Sequence, residues 1–309
     1  MKIAFCASPD FAIPSLEVLA KKYQVAVFTQ PDRVMGKRVT SPAVKKRALE
    51  LSLPVYQFES ISRDDGFAAL CDYAPDVIVT CAFGQFLRRN VLELCKYGVI
   101  NVHASLLPLY RGAAPIQSAI LNGDKQTGVS IMRTEYEMDS GDVILCQTVD
   151  IGENETAGEL FDRLSIIGAN ALDIALEKIF NGTATFTKQD HEKATFCKKL
   201  EKNSGLLDFS KDATTLKNEI RAYNPWPSSF TYLPDGNIFK IHSAHVLSND
   251  YNLKIGEVKV TPQKHVLVGC GKGVLDLDVI QAGGGKKMKA SDYINAHDLN
   301  GVVLGKIDE

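Results

Sequence analysis

Asn101 and His103 stand two residues apart at the end of a short apolar run, Gly98-Val-Ile-Asn-Val-His103, and Ser105-Leu-Leu-Pro108 follows. In an extended strand, residues i and i+2 share a face, so the amide and the imidazole project together. Pro108 and Gly112 then bend the chain, which sets the pair at the carboxyl end of its strand, where open α/β sheets place their chemistry. An amide donor beside a titratable ring, with no Ser or Cys nucleophile arranged around them, suits the stabilisation of a carbonyl oxyanion. The attacking group would then come from a substrate. A lone histidine in a turn is more often structural. That reading is weakened here because His103 is the only histidine before His191.

The elements that must position this pair are legible in outline. Ile3–Cys6, Gln24–Thr29, Val77–Cys81 and Val99–Val102 are Val/Ile-rich runs without strict alternation, the pattern of parallel strands covered on both faces. Helical stretches lie between and after them, at Ile13–Lys22, Ala43–Ser52, Ile61–Tyr73 and Pro115–Leu121. The class expected is α/β, with a Rossmann-like, mostly parallel sheet. Thr156-Ala-Gly-Glu159 is a capping box that opens a long helix, and Asn181-Gly182 ends it. Lys188 to Gly205 is polar, lysine-rich and aperiodic, and reads as a linker. After one more helix, Ala213–Tyr223, the chain turns to short β-type segments separated by Pro, Gly and Asn, the spacing of a small β-barrel. The expected division is 1–187, a linker at 188–206, and 207–309. In Asn224-Pro-Trp-Pro227, the prolines should fix the backbone while Trp226 packs between elements.

Composition narrows the function. Lys and Arg number 35 against 37 Asp and Glu, a net charge of −2, so a polyanionic partner would need local basic patches. The clearest is Arg33, Lys37, Arg38, Lys45, Lys46 and Arg47, whose front half is an exposed loop between Pro31 and Pro42. Seven scattered cysteines without Cys-x-x-Cys read as free thiols rather than a metal site. With no long apolar span and no leader pattern, a soluble cytoplasmic protein is expected. The first β-α turn, Ala7-Ser-Pro-Asp-Phe-Ala-Ile-Pro14, lacks Gly-x-Gly-x-x-Gly, and no P-loop follows elsewhere, which argues against a nicotinamide or ATP enzyme.

The Asn101–Pro108 run resembles the signature of the folate-dependent formyltransferases, in which Asn-x-His is followed by a Ser-Leu-Leu-Pro loop. Arg111-Gly-Ala-Ala-Pro115 resembles the members that formylate methionine on charged initiator tRNA. The resemblance extends from Ser8–Leu16 to Gly301–Gly305, nearly the whole chain. It implies a catalytic first domain, an OB-like β-barrel that binds tRNA, and 10-formyltetrahydrofolate as co-substrate, with no metal and no membrane, in a monomer. It also implies a third catalytic residue, Asp139 in Met138-Asp-Ser-Gly141, beside Asn101 and His103. On its own Asp139 would read as an Asx-turn residue.

The same resemblance implies folate contacts at Phe83, Gly84, Phe86 and Leu87, where a glycine-containing loop could offer backbone groups to a pterin edge and an apolar side chain to its face. Ser105, Leu106, Leu107 and Pro108 would complete the contacts, and the Thr134–Asp139 loop would close the other side. For RNA it points to Lys37 and Arg38, and to Lys286 and Lys287 in Gly283-Gly-Gly-Lys-Lys-Met-Lys289, where a solvated turn is an equal reading. The principal alternative keeps the chemistry and changes the acceptor to a small-molecule amine such as an amino sugar nucleotide. A non-catalytic RNA-binding module would have no use for the Asn101, His103 and Asp139 set.

Overall fold

The Val/Ile runs become the strands of one sheet. The computed structural model describes residues 1–35, 38–247 and 251–305. It begins with β1 (Lys2–Ala7), α1 (Ile13–Lys22), β2 (Gln24–Thr29), β3 (Arg33–Met35), β4 (Arg38–Thr40), α2 (Ala43–Glu50) and β5 (Val55–Gln57). There follow α3 (Asp64–Tyr73), β6 (Val77–Cys81), α4 (Arg89–Leu92), β7 (Val99–His103), β8 (Arg111–Gly112) and α5 (Pro115–Leu121). Next come β9 (Gln126–Arg133), β10 (Val143–Asp150), α6 (Ala157–Phe180) and β11 (Phe196–Cys197).

Seven of these strands form a sheet in the order β10-β9-β7-β6-β1-β2-β5. The five from β7 to β5 run parallel, and β9 and β10 are added antiparallel. The strand order reverses direction about β1, and β1, β6 and β7 end side by side. Loops leaving those ends therefore meet in the crevice where such sheets bind ligands. β1, β2 and β6 are buried almost throughout, because helices cover both faces. α6 lies against the sheet at Gly168, where a Cβ would come within 3.0 Å of Val102 Cγ1, the residue between Asn101 and His103. The expected capping box is present: Thr156 N–H donates to Glu159 Oε2 (2.8 Å) and Glu159 N–H to Thr156 Oγ1 (3.3 Å).

The expected basic loop is a small hairpin in which β3 pairs with β4. Lys37 lies outside the described residues, and Arg38 opens β4. Two of the three charges in the back half of the basic run, Lys45 and Arg47, are paired with acids. Lys45 pairs with Asp32 at 2.7 Å, and Arg47 with Glu17 and Glu50, each at 2.7 Å.

The chain divides into two compact units. The first comprises Met1–Pro115, Gln126–Asp150 and Phe161–Cys197, and the second Ile116–Lys125, Ile151–Leu160 and Lys198–Glu309. The second unit contains α7 (Ala213–Ala222), β12 (Ser229–Tyr232), β13 (Ile238–Leu247), β14 (Val258–Val260), β15 (Val266–Gly269), β16 (Val274–Ala282), β17 (Met288–Lys289) and α8 (Ala290–Tyr293). Its strands pair antiparallel along the path β12-β13-β16-β15-β14, with β17 added to β16. Among the described residues this path is open, where a closed barrel was expected. Leu216 and Ile220 of α7 pack with Phe239, Val266, Leu275 and Leu277 in its core.

Trp226 departs from expectation: it is half exposed instead of packed between elements. Asn224 does the joining, since its Nδ2 donates to the His242 carbonyl (3.1 Å) and its own carbonyl accepts from Gly158 N–H (3.0 Å). Lys286 and Lys287 are exposed in the turn between β16 and β17.

Candidate active site

The register of the sheet decides what Asn101 can do. Thr80 on β6 is the cross-strand neighbour of Asn101 on β7, and its hydroxyl donates to Asn101 Oδ1 at 2.8 Å. With the carbonyl end of the amide occupied, the Nδ2 donor is turned the other way. Sequence reasoning missed Thr80, because only strand pairing connects it to Asn101.

His103 ends β7 and is buried. Its Nε2 lies 3.0 Å from the Tyr110 carbonyl. A carbonyl only accepts, so Nε2 carries a hydrogen, and in the neutral ring the lone pair sits on Nδ1. Nδ1 faces Asp139 Oδ2 at 3.7 Å, too long for a direct hydrogen bond. Asp139 has φ +49°, in the left-handed region, and Oδ2 accepts from Gly112 N–H at 2.9 Å. Gly112 can present that N–H because it lacks a side chain. Its φ is +119°, and a Cβ there would lie 2.3 Å from the Cys197 carbonyl. The structure thus brings Asn101, His103 and Asp139 to one end of β7.

Ser105–Pro108 forms the loop leaving β7. Ser105 is fully buried, and its hydroxyl donates to the Leu109 carbonyl at 2.6 Å. Ser130 on β9, the register partner of His103, holds the loop from below. Its hydroxyl donates to Ser105 O (2.7 Å) and accepts from Leu107 N–H (3.0 Å). Leu107 is buried, and Leu106 and Pro108 are partly exposed. Ser130 was also missed, again because its role is fixed by register.

The loop after β6 divides its four expected contacts. Phe83 and Leu87 belong to the apolar core, while Gly84 is exposed at φ +75°. Phe86 is 63% exposed and meets Tyr136 of the Thr134–Asp139 loop edge to face, at 5.4 Å between centroids. Arg89 lies over the Tyr136 ring at 5.7 Å. A cavity of about 920 Å³ opens beside the pair, with Gln30, Arg63, Gly84, Phe86 and Tyr136 in its wall. Aromatic faces left in solvent next to a glycine backbone fit a flat heterocycle.

All seven cysteines are free, and burial pushes the Cys81 thiol up to about 12, so it offers no thiolate near neutrality. Among the described residues, no group of three or more His, Cys, Asp or Glu is arranged to hold a metal ion. No described helix is long and apolar enough to cross a membrane.

Residues 1–176 match the family model described as formyl transferase, and residues 199–298 the one described as formyl transferase, C-terminal domain. A methionyl-tRNA formyltransferase of Clostridium novyi (strain NT) is 41% identical over 303 residues, covering 97% of this chain and 98% of the relative. Another, of Methylococcus capsulatus, is 39% identical over 309 residues, covering 99% and 100%. Among solved structures, the N-formyltransferase from Helicobacter canadensis, in complex with folinic acid and dTDP-3-aminofucose, has a TM-score of 0.67. That match covers 93% of this chain and 100% of the other at 19% identity, which is a likeness of fold.

Proposed function

The chain belongs to the formyl transferase family, and from that premise we propose that it transfers the formyl group of 10-formyltetrahydrofolate to the α-amino group of methionine on charged initiator tRNA. The product is N-formylmethionyl-tRNA for translation initiation, made in the cytoplasm where tRNA is charged. The observation that carries the chemistry is that Asn101 and His103 each spend one polar atom on an internal hydrogen bond, leaving Nδ2 and Nδ1 for a substrate. What supports the acceptor is identity to methionyl-tRNA formyltransferases along nearly the full chain.

An α-amine has an unperturbed pKa of about 7.7–8.0, so much of it is a free nucleophile near neutrality. Its nitrogen attacks the formyl carbon while the carbonyl electron pair moves to oxygen. Asn101 Nδ2 donates to that oxyanion. His103 Nδ1 takes the proton from the attacking nitrogen and returns it to N10 of the folate as the carbon–N10 bond breaks. Asp139 faces the imidazolium in between. No covalent enzyme intermediate is needed. Phe86, Gly84 and the Ser105–Pro108 loop hold the pterin, with Phe83 and Leu87 supporting that wall from the core.

We read the second unit's sheet as an OB-like scaffold that, within residues 207–309, adds tRNA contacts such as Lys286 and Lys287 in a monomeric enzyme. Lys37 and Arg38 take the acceptor end. Neutralising both is expected to weaken tRNA binding and to flatten the slope of log K against log salt by about 0.7–0.9 per lost contact. An unchanged slope would mean the hairpin is only solvated. Thr80→Val keeps the side chain's shape but removes the hydroxyl that orients Asn101. It is expected to lower kcat by about 10–100-fold with KM nearly constant. Steady-state kinetics that match the wild type would remove Thr80 from this role.

The reading is tested by assaying formyl transfer from 10-formyltetrahydrofolate to methionyl-tRNA, with a nucleotide amino sugar in parallel. Formylated methionyl-tRNA and an unmodified sugar are expected. Transfer to the sugar alone would give the enzyme a small-molecule acceptor.

A further inference from the structure

Gln189 lies in the stretch whose composition reads as a linker, yet its side chain is buried. Its Nε2 donates to the backbone carbonyls of Asp139 (2.8 Å) and Gly141 (2.7 Å), which spans the turn that carries the catalytic carboxylate. Its Oε1 accepts from Arg111 Nε (3.1 Å) and Nη2 (2.7 Å). Arg111 is buried as well, and Nη2 also reaches His191 Nδ1 at 3.3 Å. A guanidinium has donors only, so it dictates which way the Gln189 amide faces: the oxygen toward Arg111, both N–H groups toward the turn.

The contacts close into a ring. Tyr110 O accepts from His103 Nε2, the Arg111 side chain orients Gln189, and Gly112 N–H donates to Asp139 Oδ2. Three consecutive residues thus hold His103, Gln189 and Asp139. The stretch that supplies Gln189 also pins those residues: Arg111 N–H donates to Thr195 O (2.8 Å) and Ala113 N–H to Cys197 O (3.2 Å). β8 pairs with β11 through the same contacts. Asp139 sits in the left-handed region, so its turn depends on such outside support to aim the carboxylate.

We propose that Gln189 is a positioning residue for Asp139, oriented by the buried Arg111. The proposal rests on the formyl-transfer reading above and adds a device that sets the geometry of its proton relay. Gln189 touches no reacting atom. It acts by fixing the carbonyls on either side of Ser140, and so the direction of the Asp139 side chain.

Two variants and one double-mutant comparison test this. Gln189→Leu removes both the acceptor for Arg111 and the two donations. Gln189→Glu keeps an acceptor for Arg111 and replaces the two donations with an oxygen set against the Asp139 and Gly141 carbonyls. Each is expected to lower kcat by about 10–100-fold, with KM for both substrates changed by no more than about 2–3-fold. In an Asp139→Asn background, the further loss from either change is expected to shrink to about 2-fold or less, because Gln189 acts through the carboxylate. Unchanged kcat in both Gln189 variants would overturn the proposal. So would losses that multiply with Asp139→Asn, since a merely structural role lowers activity whatever residue 139 is. A wild-type protein that transfers no formyl group overturns the formyl-transfer reading and this role together. An active wild type matched by its Gln189 variants overturns only the positioning role.

Discussion

His103→Ala is expected to lower kcat by about 10²–10⁴-fold while leaving tRNA and folate affinity within a few-fold. The ring is buried, its Nε2 is committed to the Tyr110 carbonyl, and its Nδ1 is the atom that can accept a proton from the attacking amine. In the proposed mechanism that service is performed in the transition state, so its loss falls on kcat. The same geometry makes the effect non-additive with loss of Asp139. In the proposed relay the carboxylate, 3.7 Å from Nδ1, acts only through the ring and has nothing to act on once the ring is gone. Asp139→Ala made in the His103→Ala protein should therefore cost much less than in the wild type. A His103→Ala enzyme with near-normal kcat would remove the ring from the mechanism.

Asn101→Ala is expected to lower kcat by about 10²–10³-fold, the usual effect of deleting one oxyanion donor. The size follows from how fully the amide is prepared. Thr80 occupies Oδ1 at 2.8 Å, so Nδ2 needs no reorganisation when negative charge develops on the formyl oxygen. Asn101→Asp separates orientation from donation. It keeps an oxygen for Thr80 but places a carboxylate where a donor is required, so it should be at least as damaging as alanine. An aspartate variant as active as the wild type would contradict the assignment of Nδ2 to the oxyanion. Comparison of kcat and KM across the three proteins is sufficient.

The pair on β7 was legible because it depends on one local rule. Alternate residues of a strand share a face, and the loop after the strand is marked by Pro108 and Gly112. Residues whose roles depend on strand pairing were not legible. Thr80 and Ser130 reach the site only because β6 and β9 flank β7 in a particular register. Asp139 alone would have passed for a turn residue, and only family resemblance raised it.

The stretch containing Gln189 misled for a different reason. It has no apolar period because its order comes from hydrogen bonds to residues 110–113, which leave no trace in hydropathy. The second unit shows a further limit. Ile116–Lys125 and Ile151–Leu160 cluster with it, although both precede the lysine-rich stretch at which the chain was expected to divide. Trp226 was expected inside because tryptophans usually are, and the neighbouring Asn224 makes the joining contacts instead.

Single-turnover transfer with labelled formyl donor tests the central claim most directly. Enzyme in excess is mixed with 10-formyl-labelled tetrahydrofolate and methionyl-tRNA, then quenched at intervals, and the label is followed on the protein and on the tRNA. Direct attack by the α-amine, assisted by Asn101 and His103, puts the label on methionyl-tRNA with none passing through the protein. Label that accumulates on the protein before it reaches the tRNA, or that never reaches it, would contradict the account.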